Sequence, residues 1–190
     1  AGCLWIGREF FAAHVEKAFL MTALSVGLLL VLLLPINKVG WDEEIHFFRA
    51  YCIGAFPDDV HVSQAISDHF INSDSTSVFH YPDTLEEKQQ VAAYLNENGD
   101  YNGSDYFQSR CLAGIYSTGY LASGLFLKAG ILLNLPFSIT FILGRLGNLL
   151  FYSLVMYWAV KIIPYGKRIL SIIGLMPTSL FLASVYSYDA

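Results

Sequence analysis

Asp42, Glu43, His46 and Arg49 stand within eight residues of one another in the stretch Trp41-Asp-Glu-Glu-Ile-His-Phe-Phe-Arg-Ala-Tyr51. Residues three and four apart share a helix face, so one or two turns can present all four side chains together. A carboxylate beside a reacting centre can take a proton from an attacking hydroxyl. Carboxylate oxygens also suit hard divalent cations such as Mg2+ or Mn2+. The bland reading of the same acids is a solvated cap on a helix that has just left a bilayer. What surrounds the cluster decides between the two.

The surroundings are those of a membrane protein. The chain has 190 residues, 55% of them hydrophobic and 14% charged, with a mean hydropathy of +0.47. Soluble domains carry roughly 25% charged residues, and here the apolar residues come in long blocks. Ala18–Ile36 is a run of nineteen residues, about 28 Å of helix and close to the hydrocarbon thickness. It predicts a first transmembrane helix over 18–36, ended by Pro35 and Asn37. Residues 1–17 mix Trp5, Phe10 and Phe11 with Arg8, Glu9, Glu16 and Lys17, which suits an interfacial segment on the cytoplasmic side. A second span is expected over 137–163, enclosing Arg145, and a third over 169–188, with a basic cytoplasmic turn at 164–168 between them. The chain lacks an initiator Met and stops just past Tyr188-Asp189, so it reads as the N-terminal fragment of a longer polytopic protein.

Residues 37–114 form a long loop. Between Asn37 and Arg110 stand thirteen acidic and four basic residues, whereas the remainder of the chain holds three acidic and seven basic. Such a loop offers no basic stripe for phosphodiesters, which excludes a nucleic-acid partner. Gly40–Tyr51 reads as a short helix on the membrane surface, aromatic on one side and charged on the other. Thr84 followed by Glu87 is a capping box, predicting a helix over Asp83–Asn96. Cys52 and Cys111 could pair in an oxidising compartment, but two isolated cysteines are more often unpaired, and free thiols are the expectation. Residues 115–135 admit two readings, an extra span or an interfacial, re-entrant helix. If they cross, Lys161, Lys167 and Arg168 lie outside. If they do not, those cations lie in the cytoplasm and Asp189 returns to the side of Asp42. Positive charge favours the cytoplasmic side, which supports the second arrangement.

Several stretches, taken in order, resemble a bacterial membrane family. They are Asp42-Glu43-x-x-His46-Phe-x-Arg49-Ala-Tyr51, Gly144-Arg145-Leu146-x-Asn148-Leu149, Ile163-Pro-Tyr-Gly-Lys167, Leu175-Met-Pro177 and Ser187-Tyr-Asp-Ala190. The family is that of domain-of-unknown-function 2142, grouped with the GT-C glycosyltransferases, and the likeness runs from about residue 18 to 190. Trp41 departs from the pattern, standing where members tend to have Pro. The resemblance implies an all-α, multi-pass transmembrane fold, GT-C-like, with a long extracytoplasmic first loop carrying juxtamembrane helices. It also implies a sugar donor linked to a polyprenyl phosphate and an acceptor among cell-envelope glycans, at the outer face of a bacterial plasma membrane.

On that resemblance Asp42 and Glu43 match an acidic active-site motif, and Asp189 matches a second acid after the third span. Asp42 is then the candidate base, with Glu43 and His46 tuning it, or with Asp42, Glu43 and Asp189 sharing Mg2+ or Mn2+. Arg49, Arg145 and Tyr188 are candidate substrate contacts. A guanidinium in a spanning helix is costly, so Arg145 either clamps the lipid phosphate or is a paired structural residue. Tyr188 either lines the cavity or anchors the end of a span. Two further functions stay open: a transporter or flippase component for lipid-linked glycans, and a non-catalytic membrane scaffold whose acidic loop binds a partner.

Overall fold

The computed structural model describes residues 13–36, 43–55, 63, 65–66, 84–99 and 115–188. Among these residues every regular element is helical. In chain order they are α1 (Val15–Leu33), α2 (Glu43–Ala55), α3 (Leu85–Asn98), a 3-10 helix (Ile115–Tyr120), α4 (Leu121–Leu132), α5 (Phe137–Ile162), α6 (Lys167–Gly174) and α7 (Pro177–Ala183).

Helices α1 and α5, of 19 and 26 residues, are long and apolar enough to cross a bilayer. Their outward faces carry Leu29, Leu32, Phe151, Leu154 and Trp158, all exposed. So large an apolar exterior is costly in water and matches hydrocarbon. The two helices run antiparallel. Phe19 near the start of α1 packs on Tyr152, and Leu34 just past its end accepts a hydrogen bond from Arg145 near the start of α5. At the far end of α5, Lys161 lies 4.6 Å from the Trp158 ring centroid. Exposed Tyr165, Lys167 and Arg168 follow in the turn, an aromatic and basic group at that end of the helix.

The expected third span over 169–188 is broken. α6 ends at Gly174, Met176 is extended, and α7 begins at Pro177. Proline has no N–H to give and crowds the carbonyl four residues back, so a helix cannot continue through it without a kink. The broken segment still climbs beside α1 and opposite to α5. Its lower part meets Tyr152, whose hydroxyl donates to the Gly174 carbonyl at 2.7 Å, and its upper part brings Ser184 Oγ, which donates to the Leu180 carbonyl at 2.7 Å, within 3.3 Å of the Gly27 carbonyl.

Residues 115–135 do not form a third long helix. The 3-10 turn leads into α4, which lies antiparallel to the first half of α5. A Cβ on Gly147 would sit 2.6 Å from the Ala122 carbonyl, and one on Gly130 would sit 2.8 Å from the Thr140 side chain. α2 fits on the other side of α4, so close that a Cβ on Gly124 would lie 2.7 Å from the Ala50 carbonyl. The helix expected over Asp83–Asn96 is observed as Leu85–Asn98, with both halves of the Thr84/Glu87 capping box made. Its end covers the start of α5, where Ser138 N–H donates to Asn96 at 2.9 Å. A core of Phe47, Phe48, Tyr51, Leu95, Tyr120, Leu127, Phe137, Phe141 and Tyr186 joins these elements.

Cys52, on the half-buried side of α2, is disulfide-bonded. The expectation of free thiols is corrected here. Spacing along the chain says nothing of which helices meet, and α2 packs against the segment that follows Cys111.

Candidate functional site

Glu43 opens α2 and is wholly buried, as is Arg145 two turns into α5. Arg145 Nε donates to Glu43 Oε1 at 2.9 Å and Nη2 donates to Oε2 at 3.0 Å, a bidentate pair. Arg145 Nη1 donates to the Leu34 carbonyl at 3.3 Å, and Glu43 Oε1 also accepts from Tyr186 N–H at 3.1 Å. The guanidinium carbon lies 4.8 Å from the Phe141 ring centroid. One ion pair therefore ties the exit of α1, the start of α2, α5 and the segment beyond α7. Two charges taken out of water persist only when each is paired and hydrogen-bonded, and both conditions are met. Of the two readings of Arg145, its contacts support the paired structural one.

The residues around Arg145 in α5 serve the same junction. Gly144 leaves room for the Tyr186 ring, since a Cβ there would overlap the hydroxyl. That hydroxyl donates to the Phe141 carbonyl at 2.8 Å. Asn148 donates to the Leu182 and Val185 carbonyls at 3.2 and 2.8 Å, satisfying the open end of α7. Gly144-Arg145-Leu146-x-Asn148 is thus a dock for the 182–186 segment.

One turn along α2 from Glu43 lies a second polar group. His46, 8% exposed, places Nδ1 2.5 Å from the Tyr120 hydroxyl. Arg49, exposed on the next turn, donates from Nη1 to the same hydroxyl at 3.4 Å. Tyr188 closes the group, its ring edge-on to His46 at 5.1 Å and to Tyr120 at 5.8 Å between centroids. Tyr120 is buried while Tyr188 is 51% exposed, so the cluster has a buried floor and an open aromatic side.

Of the residues singled out by sequence, His46, Arg49 and Tyr188 are brought together, and Glu43 and Arg145 meet each other beside them. Asp42 and Asp189 lie outside the described residues, although their neighbours Glu43 and Tyr188 are in place. As a ligand for Mg2+ or Mn2+ Glu43 fits poorly, because both oxygens accept from Arg145 and a cation would have to sit against a guanidinium. Among the described residues no three His, Cys, Asp or Glu side chains form a metal-binding group.

Tyr120, Asn148 and Tyr186 are not among the residues singled out by sequence, yet they hold these groups in place. Asn148 carries a signal, a primary amide inside an apolar span, where polar groups are expensive and so have partners. The two tyrosines carry none, being ordinary aromatics at helix ends.

A search among curated proteins and among solved structures returns no match. A family model described as a predicted membrane protein matches residues 24–190, which take in the second half of α1, both polar groups and the dock on α5. The chain belongs to that predicted membrane protein family, DUF2142.

Proposed function

We propose that this protein is a GT-C-type membrane glycosyltransferase that moves a sugar from a polyprenyl-phosphate carrier to a cell-envelope glycan at the outer face of a bacterial plasma membrane. One observation carries the reading. His46, four residues after Asp42, packs on Tyr188, one residue before Asp189, with ring centroids 5.1 Å apart. Stretches separated by most of the chain thus converge at the end of the helices opposite the basic turn.

On this reading the Asp42 carboxylate takes the proton of the acceptor hydroxyl, whose oxygen then bonds to the anomeric carbon of the donor sugar. The bond from that carbon to the phosphate oxygen breaks, and its electron pair leaves with the phosphate. Arg49, exposed and bearing five donors, meets the phosphate on this reading. The half-exposed Tyr188 ring offers a face for the sugar or the lipid. Asp189 is the second acid of the pocket, and no step passes through a metal.

The test is transfer of labelled sugar from a polyprenyl-phosphate donor to a glycan acceptor by purified protein in nanodiscs. Asp42→Asn is expected to lower the rate by about 10^2 to 10^4, the usual worth of a general base. Full activity in that variant refutes the base. Carrier movement across vesicles without transfer selects the flippase. Absence of both, with a co-purifying protein, leaves the scaffold.

A further inference from the structure

We propose that α4 is inserted in the outer leaflet with its leucine face against acyl chains, so that the His46–Tyr120–Tyr188 group lies below the lipid surface instead of standing on it. Two contacts fix the level of α4 along α5: Gly147 abuts the Ala122 carbonyl and Gly130 abuts the Thr140 side chain. Gly147 is ten residues past Phe137, where α5 begins, a rise of about 15 Å. α4 therefore starts about half a bilayer below the outer end of α5 and climbs back toward it. Tyr120 directly precedes the first residue of α4, and Gly119 lies against Tyr188. The aromatic group thus sits at the deep end.

Two levels could mark the outer edge of the hydrocarbon. α1 ends beside Arg145, and an edge there would leave α4 and the first two turns of α5 in water. α5 exposes Ile139, Phe151 and Trp158, and the rise from the first to the last is about 29 Å, the thickness of a hydrocarbon core. The leucines of α4 decide for the second. Leu121, Leu125, Leu132 and Leu133 are each at least half exposed, and the first three share one side of the helix at its natural period. In water they would make a bare apolar stripe. Packed along α5, they extend upward the surface which that helix turns to lipid. The end of α1, Leu32-Leu-Leu-Pro-Ile36, has no aromatic or charged residue of the kind that marks an interface. α3, with Glu86, Gln89 and Gln90 exposed, covers the start of α5 through the Asn96–Ser138 bond and marks the aqueous side.

Insertion to this depth has a consequence for access. A charged side chain within the slab faces water or reaches a headgroup along its own stem, and Arg49, exposed beside Tyr120, is long enough for the second. The group is then met by an amphiphile already anchored in the outer leaflet. On the sugar-transfer reading, the donor reaches it without its lipid leaving the bilayer.

Spin-label accessibility tests this without any activity. Nitroxides are attached to Leu121→Cys, Leu125→Cys and Leu132→Cys, one at a time, in a chain whose cysteine outside the disulfide is changed to Ser. The purified chain is placed in phospholipid vesicles, and collisions with O2, which concentrates in hydrocarbon, are compared with those of a water-soluble nickel chelate. Phe151→Cys gives the hydrocarbon reference and Gln89→Cys the aqueous one. The expected O2-to-nickel ratio at 125 is close to that at 151 and several-fold above that at 89, and it falls from 121 to 132 as the surface is approached. A ratio at 125 like that at 89 puts α4 in water and overturns the proposal. Low collision with both reagents means that protein, not lipid, covers the stripe, and overturns it equally. All three leucines are exposed, so any two sites carry the test if one variant fails to fold. If the ratios are as expected and no sugar transfer is found, the insertion stands and the catalytic reading fails.

Discussion

The Glu43–Arg145 pair makes the sharpest prediction, because the structural and substrate-clamp readings of Arg145 give opposite outcomes. Removing one member of a buried, hydrogen-bonded ion pair strands the other charge and costs about 3–5 kcal/mol. Glu43→Leu also orphans the Tyr186 N–H, and Arg145→Met leaves the Leu34 carbonyl without its donor, losses of about 1–3 kcal/mol each within the same range. The double variant removes both charges together, and apolar replacements for buried pairs are often neutral. Here it stays destabilised, by about 2–6 kcal/mol, because the two backbone groups remain unpaired at about 1–3 kcal/mol each. The singles together therefore exceed the double by several kcal/mol.

Thermal melting in detergent reads this. A change of 1 kcal/mol moves Tm by about 2–4 °C in a chain of this length, so each single should fall on the order of 10 °C and the double by much less than the two singles combined. Exchanging the residues, with Arg at 43 and Glu at 145, should not rescue the protein. The Tyr186 N–H would then face a donor in place of the carboxylate. The structural role of the pair is refuted if Arg145→Met melts like the wild type while losing affinity for the lipid phosphate, or if the single effects simply add.

Gly144→Ala drives a methyl into the Tyr186 hydroxyl and should cost about 1–3 kcal/mol, as overpacking does. Adding Tyr186→Phe should recover part of the lost Tm, and a double variant worse than both singles would count against the clash. Tyr152→Phe should also lower Tm, by removing the donor to the Gly174 carbonyl, despite making the helix more apolar. An unchanged melt would mean that the carbonyl has another partner. Single cysteines at positions 42 and 189 should react with an impermeant thiol reagent from one side of sealed vesicles and a cysteine at 167 from the other. Labelling of 42 and 189 from opposite sides would end the proposed pocket. Peptide mapping without reduction should join Cys52 to Cys111, since Cys3 precedes α1 and Cys111 precedes the 3-10 turn that packs on α2. A link from Cys52 to Cys3 would contradict this path of the chain.

The parts of the fold legible in the sequence were those governed by short-range rules. Length and apolarity place α1 and α5 within a few residues, and the Thr84/Glu87 capping box marks the start of α3. The cost of an arginine in hydrocarbon flags Arg145 as a residue with a partner. The partner itself stands 102 positions away, and no local rule ranks Glu43 above its neighbours Asp42 and Glu44. The His46–Tyr120 contact is hidden in the same way, for tyrosine at a helix boundary is unremarkable by composition. Hydropathy also runs straight through Pro177, because both flanking halves are apolar and a window average does not register a missing N–H.

That break explains why the site forms at all. In hydrocarbon a freed backbone carbonyl must find a donor within the protein. At Pro177 the needed groups are present: Ser179 Oγ donates to the Ile173 carbonyl at 3.2 Å and Tyr152 donates to that of Gly174. With the helix interrupted at little cost, α7 takes its own direction and its end is caught by the Asn148 amide on the Leu182 and Val185 carbonyls. Those anchors set where the next residues go. Tyr186 reaches Glu43, and two residues later Tyr188 reaches His46. A continuous helix through 188 would hold the peptide nitrogens of 185–188 in intrahelical bonds, and Tyr186 N–H could not be given to Glu43. The irregular backbone is thus a requirement of the buried ion pair, and the ion pair in turn fixes α2, on which His46 and Arg49 are carried.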